Sequence, residues 1–62
     1  MKVFCVGDRI KLSDELIGYS ANKHWIGKIG TVIEIIGADW CIVKWDHLEK
    51  PMRQLKDYIM YA

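Results

Sequence analysis

Apolar and polar positions in this chain alternate in short runs broken by turn-forming residues, a spacing that belongs to strands rather than to amphipathic helices. Ile10, Lys11 and Leu12 carry the first run. The interruption at Gly7-Asp8 fits a turn or bulge, so the first strand is predicted over residues 8–12. Ser13-Asp14-Glu15 then offers a cap for a helical turn through Leu16 and Ile17, which Gly18 and Asn22 bring to an end. What remains up to Ile26 reads as one long loop, and loops of that length in a small domain often carry function.

The clearest strand is expected over residues 28–36, rich in Ile and Val, and Gly37-Ala38-Asp39 has the turn chemistry to reverse it into a second over residues 40–46. Alternation along that second strand sets Cys41, Val43 and Trp45 on one face and Trp40, Ile42 and Lys44 on the other. The first set is the expected core face. Residues 47–51 read as a loop in which Pro51 forbids a central strand position. Arg53 to Asp57 suits a short helical turn, and Tyr58 to Tyr61 a closing strand.

With 62 residues the chain is expected to be a single domain over 1–62, near the lower limit for a core without disulfide or metal support. A 52% apolar composition with three Trp, three Tyr and one Phe makes such a core attainable. Nine basic against eight acidic side chains leave a charge of +1, which lacks the basic excess of a nonspecific nucleic-acid binder. Two widely separated cysteines, no signal-peptide pattern and no long apolar run lead to the expectation of a reduced cytoplasmic protein with no membrane segment. The opening Met1 fits a complete small reading frame of the kind common in phage and plasmid genomes.

The residues Gly7-Asp8-Arg9-Ile10-Lys11-Leu12, Gly27-x-x-Gly30-x-Val32 and Ile42-Val43-Lys44-Trp45-Asp46 resemble the strand sequence of SH3-like barrels, with KOW and Tudor-like domains nearest. The stretch from Gly27 to Ile35 looks like the core of the KOW motif, where glycines let the chain turn tightly between strands. The longer spacing after strand one departs from that motif. It is more similar to the photosystem I accessory subunit and the nitrile hydratase β subunit. The resemblance implies an all-β fold: one SH3-like barrel of about five antiparallel strands, with a long loop after strand one and a short helical turn before the last. The plasmid-borne dihydrofolate reductase shares the barrel, but its Val-Gln-Ile-Tyr motif is absent. These are signatures of a fold, and a fold does not determine a function.

Cys5, His24, Cys41 and His47 include zinc-ligand types but no close Cys-x-x-Cys pair, so neither metal nor cofactor is expected. Nothing in the spacing assembles a nucleophile with a base and an orienting group, and no enzyme is expected. The aromatic residues are more informative. Trp40 with Ile42 would form either a contact surface or a second face buried by the long loop or the last strand. Tyr19, His24 and Trp25 would either bind a partner or pin the loop down. The leading expectation is a non-enzymatic module that docks onto a larger protein, or onto further copies of itself, through Tyr19, His24, Trp25, Trp40 and Ile42. The alternative is a KOW-like nucleic-acid or ribonucleoprotein module in which Lys23, Lys28 and Lys44 meet phosphates while Trp25 and Trp40 stack on bases. An oligomeric enzyme of the plasmid reductase type comes third.

Overall fold

The computed structural model describes residues 3–17 and 24–62. It contains five antiparallel strands in one sheet: β1 (Arg9–Leu12), β2 (Gly30–Ile36), β3 (Trp40–Trp45), β4 (Met52–Leu55) and β5 (Ile59–Tyr61). Their spatial order is β4-β3-β2-β1-β5, so the chain ends by pairing its last strand with its first. A single-turn helix, α1 (Asp14–Ile17), follows β1 where Ser13-Asp14-Glu15 predicts it, and a 3₁₀ turn, Lys56–Tyr58, joins β4 to β5.

The core follows from the alternation in β3. Cys41, Val43 and Trp45 are fully buried, and Phe4, Ile10, Leu12, Val32 and Ile59 pack with them. Gly30 lies opposite Trp45 in the ladder. A Cβ there would come within 2.6 Å of Val43 Cγ1 and 3.0 Å of Trp45 Cε3, so the strand reaches this distance only without a side chain. Gly27 has the other glycine role. Its φ of 77° makes the turn into β2 that the sequence assigns to both glycines.

β2 changes register between Val32 and Glu34: Val32 pairs with Val43, Glu34 pairs with Ile42, and Ile33 is the additional residue. Such a bulge increases local twist and lets one long strand serve both halves of a curved sheet. Its inner half pairs with β1, and Val32 N–H donates to Asp8 O at 3.0 Å.

One element departs from the sequence expectation. Met52 to Leu55 is a strand on the outer edge of β3, and the helical turn begins only at Lys56. The segment Met-Arg-Gln-Leu has no alternation to announce a strand, and the free edge of β3 decides its conformation by offering a ladder. Lys56 then fixes the junction, its backbone N–H donating to Asp39 O at 2.8 Å and its Nζ to Gly37 O at 3.1 Å.

Candidate functional site

Trp25 stands at the centre of an aromatic cluster. A backbone hydrogen bond from Lys28 N–H to Trp25 O, 3.0 Å long, closes the turn through Gly27 and brings the indole down over the core. Its ring centroid is 4.9 Å from that of Trp45 and 5.0 Å from that of His47, the latter edge-on, while the exposed His24 lies 5.5 Å away on the near side. These are the tilted and edge-on contacts that aromatic quadrupoles favour. Trp45 beneath them is fully buried, and its indole Nε1 has no hydrogen-bond partner among the described residues.

Trp25 is half-buried, packed against the core, and its accessible part forms one wall of a groove of about 280 Å³ lined by Leu12, Leu16, Trp25, Gln54 and Tyr58. Three elements converge to make it. β1 supplies Leu12, α1 supplies Leu16, and the 3₁₀ turn supplies Tyr58, which is held in place because its carbonyl accepts from Ser13 N–H at 2.9 Å. Gln54, opposite Cys41 in the ladder, points to the same side of the sheet and adds the one amide. Leu16 and Tyr58 carry no motif, and only the pairing of β5 with β1 brings them together. A second hollow, of about 300 Å³, is lined by Gly27, Lys28, Ile29, Asp46 and His47. The carboxylate there is already engaged by Arg9.

The predicted site residues fall into two places. His24 and Trp25 gather with His47 over Trp45, whereas Trp40 and Ile42, half-buried, belong to the opposite face of β3. Trp40 carries the Arg53 guanidinium 4.8 Å above its ring. Lys28 flanks the second hollow. Lys44 directs its Nζ to the carbonyl oxygens of Trp45, at 2.9 Å, and of Leu48, which occupies the ammonium at the end of β3. Tyr19 and Lys23 lie outside the described residues. The two tryptophans proposed for base stacking therefore do not share a face with each other.

Cys5 is exposed and Cys41 is buried, with burial raising the Cys41 thiol pKa. Among the described residues no three of His, Cys, Asp and Glu converge, and no helix is long and apolar enough to cross a membrane. No protein-family model, curated protein or solved structure matches this chain.

Proposed function

We propose that this chain is a non-enzymatic binding module of the SH3-like barrel type that docks onto an apolar segment of a larger protein through the Trp25 groove. The barrel reading is supported by the strand order, the long connection after β1 and the 3₁₀ turn that returns β5 to β1. The observation that carries the function is the groove itself. Its walls are two aromatic rings and two leucines, with the Gln54 amide and the polar ends of Tyr58 and Trp25 as the groups able to hydrogen-bond a partner backbone. That is the composition of a site that takes an apolar anchor and fixes it with a few polar contacts.

The KOW-like nucleic-acid alternative is weaker on the same geometry, because Lys44 is held by backbone carbonyls and Trp25 and Trp40 face opposite ways. The test places a photo-crosslinking amino acid at position 58, where Tyr58 is half-exposed at the groove mouth. The domain is then irradiated in cell lysate with and without nuclease, at low and moderate salt. A protein adduct that persists under nuclease and salt, and that excess unlabelled domain suppresses, supports the reading. Adducts that vanish with nuclease would transfer the function to nucleic acid.

A further inference from the structure

The outer face of β2, β3 and β4 lies on the other side of the sheet from the Trp25 groove. Residues opposite each other in the ladder share a face, so the register defines its composition. One rung reads Ile36, Trp40, Leu55; the next reads Glu34, Ile42, Arg53, with Ile33 added by the bulge. Ile36, Trp40, Ile42 and Leu55 are half-buried, while Ile33, Glu34 and Arg53 are exposed. The face is thus an apolar row along β3, with an acid on one flanking strand and a base on the other.

That charge arrangement is self-complementary. Rotating a second copy by a half-turn about an axis along β3 brings its β4 over the first copy's β2. Glu34 then faces the second copy's Arg53, Arg53 faces its Glu34, and Ile42 meets Ile42. Lys44, also on β3, would meet its own copy, but its ammonium is bound to the carbonyls of Trp45 and Leu48 at the strand end. Arg53 is exposed, and its guanidinium rests against Trp40 of its own chain, so in the dimer it turns from that ring toward the second copy's Glu34.

We propose that this face pairs with the same face of a second copy, giving an isologous two-fold dimer in which the apolar row supplies the contact area and the two Glu34–Arg53 pairs set its register. Two sheets packed this way keep their strands nearly aligned, about 10 Å apart. Three strands at ~4.8 Å and six residues at ~3.3 Å give a contact of roughly 14 by 20 Å. This is about a third of the ~800 Å² per partner of a standard interface, so the dimer is a weak one that forms only at high chain concentration.

The proposal concerns a different surface from the groove and stands independently of it. Its test is sedimentation of the reduced full chain from micromolar to millimolar concentration, for the wild type, Glu34→Arg, Arg53→Glu, their equimolar mixture and the double variant. The wild type should pass from monomer to dimer, and each single variant should stay monomeric because like charges then oppose each other twice. The mixture should recover the dimer, since a chain with two arginines meets a chain with two glutamates, and the double variant should recover it alone. Circular dichroism establishes that each variant is folded; should a single variant be unfolded, Ile42→Lys takes its place and must abolish the dimer. A wild type monomeric throughout, a dimer indifferent to both single reversals, or a mixture that stays monomeric would each overturn the proposal.

Discussion

Arg9 grips Asp46 through both terminal nitrogens, with Nη1 at 2.9 Å from one carboxylate oxygen and Nη2 at 2.5 Å from the other, while Nη1 also donates to Thr31 Oγ1 at 2.7 Å. This fork spans β1, β2 and the end of β3, which no single ladder connects. Hydrogen bonding to the guanidinium holds the Asp46 carboxyl below the usual carboxylate range. A group whose pKa is lowered by folding contributes stability above its unfolded value, and the contribution is lost as pH falls through the folded one. Acid unfolding should therefore have a component that begins below about pH 4, the ordinary Asp value. Subtracting the stability-versus-pH curve of Asp46→Asn from that of the wild type should leave a difference that shrinks as pH falls below that point. A constant difference down to acid unfolding would show that the fork does not couple to folding.

Trp45 is fully buried, and its indole N–H finds no acceptor among the described residues, so its two truncations should differ in kind. Trp45→Ala removes the centre of the core and should cost about 3–5 kcal/mol, enough to unfold a domain of this size. Trp45→Phe keeps most of the ring and deletes the unsatisfied donor, a group whose burial costs roughly 1–3 kcal/mol. Urea denaturation should show Trp45→Phe retaining the fold. Equal losses for the two variants would mean that the indole N–H is satisfied in solution.

Gly30 and Gly27 make a matched pair for a second stability experiment. Gly30→Ala places a methyl 2.6 Å from Val43 Cγ1 and 3.2 Å from Lys44 O, and overpacking of this kind costs about 1–3 kcal/mol. Gly27→Ala meets nothing within 4 Å among the described residues, so its cost there comes from the positive φ. Thermal melts should place Gly30→Ala lower if tight packing beneath β2 is as described, and a Gly30→Ala chain as stable as the wild type would contradict it.

The legible parts of this fold are those in which one strand's chemistry decides its own conformation. Alternation in Trp40 to Trp45 names the core face correctly, and Ser13-Asp14-Glu15 announces α1. β4 was hidden because Met52 to Leu55 becomes a strand only by occupying the edge of β3, a fact that lies in another segment's hydrogen-bonding capacity. The site was legible to the same extent. Trp25 stands out as an aromatic beside a long loop, yet Leu12, Leu16, Gln54 and Tyr58 are ordinary residues that chain topology alone assembles around it.

The two cysteines should differ in reactivity. Cys5 is exposed, whereas Cys41 sits in the core and burial raises its thiol pKa, with only partial relief from the Lys56 charge. Since the thiolate is the reactive form, a disulfide reagent at pH 8 should titrate one thiol per native chain and a second only in denaturant. Rapid modification of both under native conditions would mean that the sheet opens around β3 far more readily than its buried core implies.

Trp40→Ala separates the outer face from the fold. Trp40 shares no face with the buried residues of β3, so its removal strips the stacking platform of Arg53 and part of the apolar row without opening the core. Buried aromatic anchors at interfaces commonly cost about 2 kcal/mol or more when truncated, which corresponds to roughly thirtyfold in affinity. Self-association measured by sedimentation should weaken by that order, while the urea midpoint moves far less than for Trp45→Ala. A Trp40→Ala chain that dimerises as the wild type does would place the contact elsewhere. One that unfolds would show Trp40 to be an essential structural residue despite its position on the outer face.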